Sequence, residues 1–75
     1  MRIDISEEDK KKAFREAYNL FERHQNDAVN TNEYFIKLYD EAVGLFVEDG
    51  SRNRMMLYMT QAVIDFMAQY LKEKC

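Results

Sequence analysis

The stretch MMLYMTQAVIDFMAQYL, residues 55–71, decides the fold of this 75-residue chain. Thirteen of its seventeen residues are apolar or tyrosine, and on a helical wheel they cover about 240°. A helix of this kind has to be covered by other helices over much of its circumference. Its polar residues, Thr60, Gln61, Asp65 and Gln69, make it too polar for a span of this length, so we expect no membrane segment.

The periodicity of the rest of the chain adds two more helices. The sequence therefore predicts an all-α protein, a three-helix bundle in one domain over residues 1–75, with helices at about residues 7–24, 31–48 and 52–73. The chain has no proline and only two glycines, which is typical of long helices and not of β-structure.

Capping residues stand where each helix is predicted to begin. Ser6 suits the N-cap of the first helix, Asn30 or Thr31 that of the second, and Ser51 that of the third. Gly50 follows the second helix and suits the left-handed residue that ends it.

Composition narrows the classes of function. The chain is acidic, with a formal net charge of −3, which does not favour general nucleic-acid binding. Its one cysteine cannot form a disulfide within the chain, so we expect a reducing, cytoplasmic location. A chain this short buries only about 60% of its unfolded surface, so a second subunit is a common source of additional stability.

The second and third helices carry more apolar residues than a lone bundle covers. In the third helix we expect the core to contain Met55, Met56, Met59, Val63, Phe66, Met67 and Tyr70. A second apolar row then remains, at seven-residue spacing, and the second helix has a comparable surplus. These residues are predicted to form an interface: Ile36, Val43, Val47, Leu57, Ile64 and Leu71.

This surplus predicts a non-enzymatic protein–protein interaction module, a regulatory or accessory (inhibitory) protein. We expect it to form a homodimer through helices 2 and 3 or to bind another protein. The alternative of a compact bundle that covers these residues itself stays open. Residues 25–49 hold six acidic residues and one lysine, which suits either a docking surface for a basic partner or an ordinary solvated face.

Few residues of this sequence suggest a catalytic, metal-binding or ligand-binding site. His24 is the only histidine and has no second histidine or cysteine pair beside it, so we expect a structural role and no metal, cofactor or catalytic site. Arg52 and Arg54, at the predicted start of the third helix, are candidate anion contacts, although the glycine-rich loop of a nucleotide site is missing.

The N-terminal segment offers an alternative function. Residues 2–6, RIDIS, alternate polar and apolar, which is typical of a short strand, and two helices follow. This order loosely resembles the ribbon-helix-helix DNA-binding proteins. The resemblance, which covers at most residues 1–47, implies a dimeric regulator whose paired strands enter the major groove with Arg2, Asp4 and Ser6 facing the bases, while the start of the second helix meets phosphate.

Overall fold

A computed structural model describes residues 1–74 of the chain and confirms the all-α three-helix prediction. The three helices are α1 (Glu7–His24), α2 (Asn32–Glu48) and α3 (Arg54–Lys74). The first two match the predicted bounds to within one residue, whereas α3 begins two residues later than predicted.

Short polar side chains begin α1 and α2 as expected. The Ser6 hydroxyl accepts a hydrogen bond from the Asp9 N–H at 3.2 Å, and the Thr31 hydroxyl accepts one from the Tyr34 N–H at 3.3 Å. Each bond satisfies one of the backbone donors that a helix leaves free in its first turn.

The end of α2 explains why the prediction for α3 was wrong. Gly50 adopts φ +75°, and the N–H groups of Gly50 and Ser51 donate to the carbonyls of Val47 and Phe46 at 2.9 and 3.0 Å. This pair of bonds is a Schellman motif. It leaves Ser51 in the left-handed region as well, at φ 58°, so Ser51 belongs to the end of α2 and does not cap α3.

Asn53 caps α3 instead. Its side-chain oxygen accepts a hydrogen bond from the Met56 N–H at 3.0 Å. Its side-chain nitrogen donates to the carbonyl of Asp9, also at 3.0 Å, and the residue is 3% exposed. One amide thus starts α3 and ties it to the first turn of α1.

The third helix is the central element and packs along both α1 and α2. Asn53 meets Asp9 near the start of α1, and Phe66 meets Phe21 near its end, so α1 and α3 run parallel. Lys12, in the first half of α1, pairs with Asp49, which directly follows the last residue of α2. The start of α1 therefore lies beside the end of α2, and the two helices run antiparallel.

The buried face of α3 differs from the predicted one. Met56, Thr60, Ile64 and Met67 are at most 3% exposed, whereas Phe66 and Tyr70, predicted for the core, are 58% and 49% exposed. The helix is therefore rotated about its axis by about 75° from the predicted phase. Thr60 is accommodated in the core because its hydroxyl, 2.9 Å from the carbonyl oxygens of both Met56 and Leu57, donates its single proton to this pair of acceptors.

The rest of the core comes from narrow faces of the other helices. The small residues Ala13 and Ala17 precede Leu20 on α1, and α2 contributes Tyr34, Leu38 and Ala42. These residues follow a spacing of three or four, which leaves the flanks of each helix outside the core.

The predicted N-terminal strand is absent within this single chain. Residues 2–6 have no regular secondary structure, because nothing in residues 1–74 offers them a strand to pair with. No helix in the described part of the chain is long and apolar enough to cross a membrane.

Candidate interaction surfaces

The outer side of α2 carries an unpartnered apolar row, here called the α2 stripe: Ile36, Tyr39, Val43 and Val47. Their exposed fractions are 58, 42, 48 and 58%. The spacing of three, four and four residues places them on one side of the helix. Three of the predicted interface residues, Ile36, Val43 and Val47, are therefore accessible as expected.

The predicted contribution of α3 to that interface needs correction. Ile64 is fully buried within the single chain and cannot reach a partner. Leu71 is half-buried and packs against the core cluster, and Leu57 is half-buried as well. The seven-residue spacing of these residues is real, but it marks the side of α3 that packs inside the bundle.

Polar contacts between α1 and α2 hold the α2 stripe outward. Glu41, on the opposite side of α2, accepts a hydrogen bond from Arg23 Nε at 2.7 Å and pairs with His24 Nε2 at 2.5 Å. The Tyr34 hydroxyl donates to the His24 carbonyl at 2.7 Å. Partial burial raises the pKa of Glu41, but the hydrogen bonds from His24 and Arg23 outweigh it and leave the pKa below its ordinary value. His24 thus joins the end of α1 to Glu41 of α2.

The flank of the α2 stripe has a net negative charge, from three exposed carboxylates and one exposed lysine, Lys37. Glu33, Asp40 and Glu48 are exposed on α2, and in the described part of the chain none of the three belongs to an ion pair. Two other acids of this region are neutralised, Glu41 by α1 and Asp49 by Lys12. Asp40 lies on the α2 stripe's flank, one residue after Tyr39.

A second apolar surface, which the sequence analysis missed, lies across α1 and α3. We call it the aromatic face: Phe14, Tyr18, Phe21, Met59, Ala62, Phe66 and Tyr70. Phe14, Tyr18, Phe66 and Tyr70 are 49 to 64% exposed. The rings of Phe21 and Phe66 are 6.4 Å apart and join the two helices, and Phe66 continues to Tyr70 at 6.0 Å. An open apolar groove runs between Ala17 and Phe21 on one side and Met59 and Ala62 on the other.

Two sequence signals point to the aromatic face. The row Ala13, Ala17 and Leu20 is sufficient for the buried side of α1, which leaves Phe14 and Tyr18 outside. On α3, the residues Met55, Met59, Ala62 and Phe66 follow one another at the four-three-four spacing of a helix-pairing seam.

One of the two candidate anion contacts lies beside a carboxylate of this chain. Arg52 and Arg54 are exposed, but Arg52 lies before α3 and beside the Asp49 carboxylate. A hydrogen bond from Lys12, at 2.7 Å, lowers the pKa of Asp49, and the charge of Arg52 adds to that effect. Arg52 therefore already has a carboxylate beside it, that of Asp49.

Within residues 1–74 no three histidine, cysteine, aspartate or glutamate side chains lie close enough together to hold a metal ion. The segment proposed to read DNA bases is exposed except at Ile5, and Ser6 is engaged in capping α1. No protein-family model, curated protein or solved structure matches this chain.

Proposed function

We propose that this protein is a non-enzymatic interaction module that binds another protein through the α2 stripe. The observation that supports it is the row of four large apolar side chains, each 42 to 58% exposed, on one side of a single helix. Such a row fits an amphipathic helix laid alongside it, with apolar anchors at spacings of three and four. Burying each large side chain contributes about 1.5–3 kcal/mol before the entropy of association is subtracted.

The charge around the α2 stripe favours a basic partner over a second copy. The helix spans residues 32–48, so residue 40 is its midpoint. If two copies paired antiparallel with the midpoints of α2 level, Asp40 would lie near its own counterpart, and like charges close together disfavour that arrangement. A helix with lysine or arginine flanking an apolar row meets the opposite charge on Asp40 and Glu33. The homodimer that the sequence predicts at α2 is therefore not the occupant proposed for this stripe.

A pair of synthetic peptides tests the proposal. One is an amphipathic helix of leucine and lysine, and the other replaces every lysine by glutamate. We expect fluorescence anisotropy of the labelled lysine peptide to rise on titration with the protein, and that of the glutamate peptide to stay flat. Raising the salt concentration should weaken the binding, because exposed charges are screened.

Variants separate apolar docking from general charge attraction. Val43→Ser with Val47→Ser removes two anchors and leaves every charge in place, so it should weaken binding of the lysine peptide at least tenfold. Val29→Ser, at a residue that is 50% exposed outside the α2 stripe, is the matched control and should bind as the unmodified protein does. Equal binding by the double variant, or binding of the glutamate peptide, would contradict the proposal.

A further inference from the structure

We propose that the aromatic face is the surface on which a second copy of this chain docks, in an antiparallel arrangement with twofold symmetry. This inference is independent of the α2 stripe, which lies on a different helix. Aromatic residues are enriched among the side chains that dominate binding energy at protein interfaces.

The exposed aromatic side chains supply a large part of the area that such an interface requires. An aromatic side chain buries about 150–250 Å² when fully covered, so four that are 49 to 64% exposed leave about 450 Å² in water. That is more than half of the roughly 800 Å² that each partner contributes to a stable interface. Met59 and Ala62, in the groove between α1 and α3, add to this area.

Charges along the edge of the aromatic face on one copy can meet opposite charges on a second copy in one orientation. Lys11 and Arg15 stand on the outer side of α1 in its first half, and Glu22 stands on the same side in its second half. On α3, Asp65 lies at the middle of the helix and Lys72 and Lys74 lie near its end, where Lys74 Nζ is 5.6 Å from the centre of the Tyr70 ring, so α3 does not add to this asymmetry. An antiparallel pair places Lys11 and Arg15 of each α1 near Glu22 of the other, whereas a parallel pair places each of these three charges beside its own counterpart.

The register of the helices identifies the centre of this pairing. Asn53 meets Asp9, 44 residues earlier, and Phe66 meets Phe21, 45 residues earlier. The midpoint between Phe14 and Phe21 on α1 is therefore level with Ala62 on α3. A twofold axis at this level sets Phe14 against Phe21 of the second copy. It also brings the two α3 helices together at Ala62, whose small side chain permits close approach.

Cross-linking at the predicted centre tests this geometry. In a Cys75→Ser background, Ala62→Cys should form a disulfide-linked dimer in a glutathione redox buffer, because two helices crossing at an alanine bring the Cα atoms within the 4.4–6.8 Å that a disulfide spans. Lys37→Cys, on the exposed part of α2, is the control and should stay monomeric on a non-reducing gel. Cross-linking of both variants to the same extent, or of neither, would overturn the proposal.

A charge exchange tests the orientation without a cysteine. Glu22→Lys should weaken self-association at least fivefold in analytical ultracentrifugation, because it places a lysine near Arg15 of the second copy. Adding Lys11→Glu and Arg15→Glu to the same chain should restore it. Circular dichroism checks that both variants remain helical. If the triple variant does not recover, the antiparallel assignment is wrong, and binding of the lysine peptide to the α2 stripe is unaffected by either outcome.

Discussion

The α2 stripe and the aromatic face are both apolar and both unpartnered, but they differ in shape and charge. The α2 stripe is one row on one helix, mostly β-branched, with acidic residues on its flank. The aromatic face spans two parallel helices, offers a groove and has charges of both signs along its edges. The comparison teaches that exposed apolar area alone does not identify a partner. The charge beside it separates a surface suited to a basic helix from one suited to its own copy.

The largest expected effect comes from a test of which apolar residues of α2 and α3 belong to the core and which lie on a surface. Ile64→Ala removes a fully buried side chain and should lower the free energy of unfolding by about 2–5 kcal/mol. Val43→Ala, in the α2 stripe, should change it by less than about 0.5 kcal/mol. Urea unfolding followed by circular dichroism measures both. Similar stability of the two variants would mean that Ile64 lies on a surface, and the assignment of both faces would then be wrong.

The contacts that orient the α2 stripe are expected to have a smaller effect. Because the pKa of Glu41 is lower in the folded chain than its ordinary value of 4.5, its ionised form stabilises the fold above about pH 4.5, and this contribution is lost as the pH falls further. Glu41→Gln should therefore lower the free energy of unfolding by about 0.5–1 kcal/mol at pH 6. The difference from the unmodified protein should shrink at pH 3.5.

Urea titrations at the two pH values decide whether Glu41 contributes through its charge. A difference that grows on acidification would mean that the carboxylate is destabilising in the folded state. Tyr39→Gln, on the exposed side of α2 and away from the contacts with α1, serves as a control whose effect should not depend on pH in this range.

The smallest expected effect lies in the turn that sets the angle between α2 and α3. Ser51 holds φ 58°, a conformation that is strained for a residue with a side chain. Ser51→Gly should raise the free energy of unfolding by a few tenths to about 1 kcal/mol, measured by thermal and urea unfolding. Gly50→Ala should have the opposite sign, because Gly50 also lies at positive φ. Destabilisation by Ser51→Gly would show that this turn is different from the Schellman motif described.

Local signals were sufficient for much of the fold. Ser6 and Thr31 cap the helices they were expected to cap, and Gly50 ends α2 in the left-handed conformation. The start of α3 was predicted two residues early because the Schellman motif takes Ser51 into the end of α2, and Asn53, which also contacts the carbonyl of Asp9 44 residues away, caps α3 in its place. A contact over that distance leaves no periodic trace in the sequence.

The candidate surfaces were predicted only in part, for a related reason. Ile36, Val43 and Val47 are exposed because α2 has more apolar residues than its neighbours cover. The phase of α3 was predicted wrongly because Phe66 and Tyr70, which are large and apolar, were placed in the core, whereas Thr60 and Ile64 take those positions. A threonine that satisfies its own hydroxyl, Thr60, belongs to the core despite its polarity. The error hid the aromatic face, because its exposed residues on α3, Phe66 and Tyr70, had been assigned to the interior.

The central claim is that the aromatic face pairs two copies whereas the α2 stripe does not, and sedimentation equilibrium tests it most directly. Over a concentration range from micromolar to millimolar, the unmodified chain and Val43→Ser should both form dimers of similar affinity. Phe66→Ser should shift the dissociation constant at least tenfold toward the monomer, with its helical content unchanged. A strictly monomeric unmodified chain, or a dimer weakened by Val43→Ser and not by Phe66→Ser, would contradict the account.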